Sequence, residues 1–330
     1  MKIVVDSAIP FLEGVLEPYA ETRRLPGREI AAGDVRNADA LIVRTRTRCD
    51  AALLDGSRVR FIATATIGFD HIDLGYCRRR QIGVATAAGC NARGVLQWVA
   101  AVLHHLSQRD GWRPAEKTLG VIGAGHVGEL VRTYAAAWGF RVLTCDPPRA
   151  AREGDGFVPL KEIARHCDLV TFHTPLDAST RRMAGDEFLG RLRPDAVIIN
   201  SSRGEVVDGD ALLRSGRHYA LDVWPHEPDI DRRLLAGAVL ATPHVAGYSA
   251  QGKANATAMA VAALARRFAL PLAGWYPAVA PSQPRLIGWD ELGATIGAHY
   301  DIAAESDALK RSPERFEELR NGYVYREEYF

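Results

Sequence analysis

Arg203, Glu227 and His244 stand out for the chemistry they offer as a set. Imidazole titrates in the range where proton transfer near neutral pH is efficient, so His244 is the expected base, and the acid in the reverse direction. A carboxylate bonded to an imidazole fixes its tautomer and stabilises the imidazolium, and that role falls to Glu227. A guanidinium grips a carboxylate through two parallel hydrogen bonds and polarises a developing carbonyl, which is what Arg203 provides. The set suits oxidation of a 2-hydroxy acid, in which a proton leaves the C2 hydroxyl as hydride leaves C2. Taken singly, each residue has an ordinary structural role open to it; three together on one sheet edge favour function. His226 adjoins Glu227, but no strand end places it, so it ranks second.

Hydride needs an acceptor, and residues 117–148, KTLGVIGAGHVGELVRTYAAAWGFRVLTCDPP, carry the matching pattern. A short branched apolar run breaks into Gly123, Gly125 and Gly128, continues as an amphipathic segment, and is followed by a second apolar run ending at Asp146. That order is strand, tight turn, helix, strand, acid, the arrangement of a dinucleotide-binding βαβ unit. Gly123 permits the sharp exit from the strand, Gly125 lets backbone amides approach a pyrophosphate, and Gly128 lets the helix pack close. The pyrophosphate is expected at the positive helix end. Asp146 is placed to accept hydrogen bonds from both ribose hydroxyls and would repel a 2′-phosphate, so NAD is expected over NADP. Arg149, three residues on, argues the other way and is outweighed.

These residues must be positioned by a parallel sheet. Strands are predicted at 119–122, 141–145, 169–172, 196–200, 219–223 and 239–241, with helical patterns between most of them. In such sheets ligands bind beyond the carboxyl ends of the strands. Arg203 follows the fourth strand, Asp222 and Glu227 the fifth and His244 the sixth, all on that edge. Asp222 is expected to orient the nicotinamide amide, and His173, after the third strand, to contact cofactor or core. The first 91 residues form a second α/β pattern, with strands at 3–6, 40–44, 61–64 and 83–85 and helices near 10–19, 50–55 and 74–80. Residues 91–109 read as a connecting helix, and 249–268 as a helix that returns to the first domain. The expected organisation is α/β: two Rossmann- or flavodoxin-like doubly wound parallel-sheet domains with a small C-terminal α+β dimerisation appendage. The substrate domain is expected over 1–92 plus 249–270, the NAD domain over 93–248 and the appendage over 271–330. If the strand from Ala40 continues, Arg44, Arg46 and Arg48 share one face and Thr45 and Thr47 the other, a group able to receive a phosphate or to serve as a solvated edge. Gly68 and the turn at 91–94 would let backbone amides approach a carboxylate. Tyr248 reads equally as a core or interface aromatic.

The whole chain narrows the possibilities. Lys and Arg total 41 against 40 Asp and Glu, so no global field attracts nucleic acid or an anionic membrane. The first residues lack a signal-peptide pattern and no apolar run approaches ~20 residues, so a cytoplasmic protein without membrane spans is expected. Five scattered cysteines, with no CxxC pair, read as reduced thiols, and no metal site is expected.

At its specific motifs the chain resembles the D-isomer-specific 2-hydroxyacid dehydrogenases. They are VRTRT at 43–47, ATATIGFDHID at 63–73, AAGCNARGVLQWV at 87–99, CDPPRA at 145–150, TFHTPL at 171–176, SSRGEVVD at 201–208, DVWPHEPD at 222–229 and HVAGYS at 244–249. The resemblance runs over essentially the whole chain. It implies Arg203 and Glu227 as active-site residues and His244 as proton donor. It further implies NAD contacts through His126, Val127, Asp146, Thr174, Asp222 and Gly247, and substrate contacts at Thr45, Thr66 and Tyr248. The implied substrate is a phosphorylated 2-hydroxy acid, 4-phospho-D-erythronate, with 3-phosphoglycerate the alternative; a homodimer is implied as well. From a different class, an NAD-sensing binding protein on this fold is the competing reading. Thr45 stands where the family commonly has Ser, and the region after Pro271 is short for the family's C-terminal dimerisation domain.

Overall fold

Strands made of unbroken apolar residues require a sheet covered on both faces. The computed structural model describes residues 1–330 and contains two parallel sheets, one in each of two units. The first unit comprises Met1–Asn91 and Ala250–Pro281. Its strands are β1 (Lys2–Asp6), β2 (Glu21–Leu25), β3 (Ala40–Val43), β4 (Phe61–Thr64) and β5 (Gly83–Thr86), in the order β2-β1-β3-β4-β5. All are parallel, and β3 (ALIV) and β4 (FIAT) are buried along their whole length. The helix Ala250–Phe268 lays an alanine-rich face among Ile3, Val5 and Ala63.

Three local expectations change here. β2, with the sequence ETRRL, is an edge strand whose charges conceal it from a hydrophobic pattern while protecting the edge from further pairing. Residues 10–19 form successive turns rather than a helix: Leu12 and Leu16 are buried at helical spacing, but Pro10, Gly14 with φ +78° and Pro18 interrupt the backbone. The strand expected at 40–44 stops at Val43, and the chain turns, with the Thr47 amide bonded to the Arg44 carbonyl at 3.1 Å.

The second unit comprises Ala92–Ser249 and Ser282–Phe330. Strands β6 (Thr118–Ile122), β7 (Arg141–Cys145), β8 (Leu169–Phe172), β9 (Val197–Asn200), β10 (Tyr219–Leu221) and β11 (Leu240–Ala241) form a parallel sheet ordered β11-β10-β9-β8-β6-β7. The order reverses between β6 and β8, and that switch point opens a crevice at the strand carboxyl ends. One face is covered by the helix Ala92–Asp110, buried almost all round, with Trp112, Trp138 and Phe140. The other face packs Phe172, Phe188, Trp224 and Phe316.

The C-terminal part of this unit is helical where an α+β appendage is expected. Helices Trp289–His299, Ile302–Arg311 and Phe316–Asn321 follow one another, and the strand-like element reduces to an isolated bridge between Ser249 and Arg326. This segment is built into the unit rather than appended. Ser306 Oγ accepts the Ala241 amide at 3.0 Å, satisfying a donor of β11 at the sheet edge. Phe330 is fully buried, with its ring 5.0 Å from Tyr134 and 6.0 Å from Trp138. Phe330→Ala is therefore expected to cost about 3–5 kcal/mol in urea unfolding. Val324→Ala, at a side chain 87% exposed, should stay within ~0.5 kcal/mol. Equal effects of the two would contradict this packing.

Candidate active site

The turn after β6 is shaped by close contacts. Gly123 has φ +87°, and a Cβ there would meet the His173 carbonyl oxygen at 2.6 Å, while a Cβ on Gly128 would overlap the Gly123 carbonyl. Packing thus demands glycine at both. It does not at Gly125, where a Cβ would meet nothing within 4 Å. Gly125 is the N-cap of the helix His126–Trp138 and supplies no side-chain bond to its first amides, which are left to a ligand. His126 is exposed and Val127 half-buried in that first turn.

Asp146 does more than wait for a ribose. One oxygen accepts the Ala124 amide at 2.8 Å and the other the Arg149 amide at 2.9 Å, so the acid also pins the glycine turn. Arg149 is engaged by Glu129 at 2.8 Å, by Glu153 at 2.7 Å and by the Ala124 carbonyl at 2.7 Å, which occupies the cation that argued for a 2′-phosphate. Past β8, Thr174 Oγ1 is buried with no partner in the protein. The uncapped helix, the open glycine and this hydroxyl fit a dinucleotide. Burial pushes the His173 imidazole down to about 3, favouring its neutral form, and its Nε2 lies 3.0 Å from Thr171 Oγ1.

On the catalytic edge, Asn200 folds the loop that carries Arg203. Its amide donates to the Arg203 carbonyl at 2.8 Å and its oxygen accepts Ser202 N at 3.0 Å. Gly204 sits so close to Trp224 and Pro225 that a Cβ would overlap their backbone, locking the loops after β9 and β10 together. Glu227 Oε1 accepts the Trp224 amide at 2.9 Å, and Oε2 lies 2.7 Å from His244 Nδ1. Burial pushes the Glu227 carboxyl up, but His244, Arg320 and the Trp224 amide outweigh it and hold it below the ordinary 4.5. His226 is exposed, so the structure brings Glu227, not its neighbour, to His244.

His244 itself has φ +59°, a left-handed conformation that costs about 1–3 kcal/mol for a residue with a side chain. Asp222 holds it there. The Asp222 carbonyl accepts the His244 amide at 2.7 Å, and its carboxylate accepts Thr242 Oγ1 at 2.6 Å, Val245 N at 2.7 Å and Ala246 N at 3.0 Å. Trp98 Nε1 in turn donates to Thr242 Oγ1 at 2.9 Å. Asp222 is 1% exposed, and burial pushes its carboxyl up against the pull of His244 and these donors. Its first role is therefore to fold the loop around His244, where the sequence suggested only the nicotinamide amide.

Tyr248 follows Gly247 in the same loop, and its hydroxyl accepts Arg320 Nε at 3.3 Å. Thr45, Thr66, Arg44 and Arg46 belong to the first unit. With the strand ending at Val43, the shared face proposed for the arginines is absent. Arg44 instead pairs with buried Asp6 at 3.0 Å and Arg48 with Asp50 at 2.8 Å. Thr45 is exposed, whereas Thr47 is buried on the Gly27 carbonyl at 2.9 Å. Thr66 Oγ1 donates to the Gly68 carbonyl at 3.1 Å and lies 2.6 Å from Thr64 Oγ1. The residues that sequence reasoning missed are Trp98, Thr242, Arg320 and Arg326. Thr242 lies two positions before His244 and Trp98 falls within the 87–99 motif, whereas no strand end or loop of the sheet marks Arg320 or Arg326.

Asp222→Asn sets an N–H donor against backbone amides, and is expected to lower stability by about 1–3 kcal/mol; Trp98→Phe should cost about 1 kcal/mol, both read in chemical denaturation. A carboxylate with a depressed folded pKa contributes stability that is present above its unfolded value and lost as pH falls through the folded one. The stability difference between the native chain and Glu227→Gln should thus hold steady above about pH 5 and shrink in more acid solution. A difference that grows on acidification would reverse the sign assigned to Glu227.

Comparison with known proteins shows the family and the fold. Residues 91–246 match the D-isomer specific 2-hydroxyacid dehydrogenase NAD binding domain. Erythronate-4-phosphate dehydrogenase of Bacteroides fragilis (strain ATCC 25285) is 44% identical over 99% of this chain and 97% of its own length. The protein of that name from Yersinia enterocolitica is 38% identical over 100% and 93%. Among solved structures, NAD+-bound 3-phosphoglycerate dehydrogenase of Entamoeba histolytica superposes with a TM-score of 0.70 at 24% identity, covering 86% of this chain and 99% of that one. The Aquifex aeolicus D-lactate dehydrogenase complex with NAD and lactic acid gives 0.67 at 22%, over 86% and 100%, and both likenesses speak to the fold alone. No helix is long and apolar enough to cross a membrane. With near full-length identity to such relatives, the chain belongs to the erythronate-4-phosphate dehydrogenase family, within the NAD-binding D-isomer specific 2-hydroxyacid dehydrogenases.

Proposed function

We propose that this chain oxidises the C2 hydroxyl of 4-phospho-D-erythronate to 2-oxo-3-hydroxy-4-phosphobutanoate, a step of pyridoxal 5′-phosphate biosynthesis. The observation that carries the reading is the 2.7 Å pair of His244 Nδ1 and Glu227, on the same strand-end edge as Arg203. With Nδ1 directed to a carboxylate, the tautomer that donates there leaves the Nε2 lone pair for the substrate hydroxyl. Nε2 takes the hydroxyl proton, and Glu227 stabilises the imidazolium that results. Arg203 binds the C1 carboxylate and stabilises the developing 2-oxo group. NAD, when bound, supplies the acceptor for the C2 hydride.

The other assignments follow the same reading. Gly123, Gly125, Gly128, His126 and Val127 form the pyrophosphate turn, Asp146 receives the ribose, and Thr174, Asp222 and Gly247 line the remainder of the cofactor site. In the first unit Thr45 and Thr66 are the substrate contacts, with Arg46 and Arg44, the latter keeping its pair with Asp6, for the phosphate; in the second unit the contact is Tyr248. The unit formed by Met1–Asn91 and Ala250–Pro281 is the substrate domain, the unit formed by Ala92–Ser249 and Ser282–Phe330 takes NAD, and its C-terminal helices contribute to a homodimer in the cytoplasm.

The test is formation of reduced NAD with a panel of 2-hydroxy acids, run on the native chain and on His244→Ala. Selective turnover of 4-phosphoerythronate, falling by about 10²–10⁴-fold in the variant, is expected. Preference for 3-phosphoglycerate would overturn the substrate assignment and leave the catalytic pair standing. Firm NAD binding with no turnover of any acid would favour an NAD-sensing protein instead.

A further inference from the structure

Arg320 lies on the helix Phe316–Asn321, outside every segment to which the sequence assigned chemistry, yet its guanidinium reaches the catalytic pair. Its Nη1 is 3.6 Å from Glu227 Oε2, the same oxygen that lies 2.7 Å from His244 Nδ1. Its Nε donates to the Tyr248 hydroxyl at 3.3 Å. Only 15% of the side chain is exposed, so solvent screens the contact poorly. From this geometry we infer that Arg320 is a positioning residue acting through Glu227, sharing the carboxylate with His244 and limiting how strongly that carboxylate stabilises the imidazolium.

The physical need is specific. A buried carboxylate beside an imidazole favours its protonated form, and a protonated ring takes no proton from a hydroxyl. A second cation on the same carboxylate oxygen opposes that tendency and holds the oxygen in place. The charged and titratable groups around the pair are few. Asp222, at the end of β10, is committed to Thr242, Val245 and Ala246. Arg203, on the loop after β9, donates to the Ser202 carbonyl at 2.7 Å. His226 is exposed beside Glu227, and the Tyr248 hydroxyl contacts Arg320 itself. Glu305, which interacts electrostatically with Asp222, accepts Tyr300 and Tyr323 at 2.9 and 2.6 Å, with Arg326 beside them. Arg320 is thus the cation set against the shared Glu227 oxygen from outside the loops.

The inference rests on His244 serving as base, and the experiment separates the two. The pH profile of kcat/KM for oxidation is measured for the native chain, Arg320→Gln, Arg320→Met and Arg320→Lys, with NAD affinity titrated independently. Removal of the charge is expected to move the midpoint of the acid limb up by about half to one pH unit, so that activity well below it falls a further ~3–10-fold. Arg320→Lys should recover most of the shift, and NAD affinity should change less than about twofold. Arg320→Met keeps the aliphatic stem, so whichever neutral variant folds decides the question. A neutral variant with lower kcat and an unmoved limb overturns the inference, since lost packing alone gives that result. If the native chain shows no acid limb, the base assignment falls, and this inference with it.

Discussion

A carboxylate withdrawn from water at the end of β10 is the interaction on which the catalytic edge depends. Left alone, the buried charge of Asp222 would carry a large desolvation cost, and its hydrogen bonds offset that cost. Thr242 Oγ1 and the amides of Val245 and Ala246 all point at it. Because the donors come from the loop after β11, satisfying the charge and folding the loop are one event. His244 is held inside that loop at φ +59°, a conformation its own preference would not select. The backbone strain and the buried charge thus support one another, and the imidazole is fixed before any substrate arrives.

The cofactor edge follows a similar rule with different groups. Asp146 is half-buried, and its oxygens take the Ala124 and Arg149 amides. A turn of glycines, which by itself has many conformations, is therefore tied to the end of β7. Arg149, whose charge would otherwise offer a 2′-phosphate a partner, is pulled away by Glu129 and Glu153. Preference for an unphosphorylated ribose is then built by occupying one cation as well as by presenting one acid.

Much of this was legible in the sequence because strands buried on both faces write themselves as branched runs. VIIN, LVTF and ALIV needed no context to be recognised. Arg203, Glu227 and His244 were singled out as a set because strand ends are where parallel sheets bind ligands. Elements governed by the surface or by distant contacts were not. β2 is a charged edge, and residues 10–19 mimic helical spacing through Leu12 and Leu16 while their backbone turns. The arginines after Val43 seemed to alternate because nothing local says where a strand stops. Asp222 was singled out for the nicotinamide amide, whereas its buried bonds to Thr242, Val245 and Ala246 reach 20, 23 and 24 residues along the chain and leave no periodic trace.

The same reason explains why the C-terminal arginines were invisible. Arg326 lies 80 positions beyond Ala246 in the sequence, yet its Nη2 donates to that carbonyl at 2.6 Å. Taking a guanidinium to 6% exposure requires compensation on several sides. The Tyr300 ring lies 4.2 Å away, the Tyr323 hydroxyl accepts at 2.6 Å, and the Gly94 carbonyl adds a weaker contact at 3.3 Å. Of these partners only Ala246 belongs to the loop that carries His244, so that loop supplies the shortest carbonyl contact to a guanidinium whose buried Nε has no partner. Displacing the loop would strip a buried cation of an acceptor, and displacing the C-terminal segment would free the carbonyl beside the residues that position His244. The two segments consequently hold each other, and the helices that follow residue 282 are part of the scaffold that holds the His244 loop in their unit rather than an addition to it.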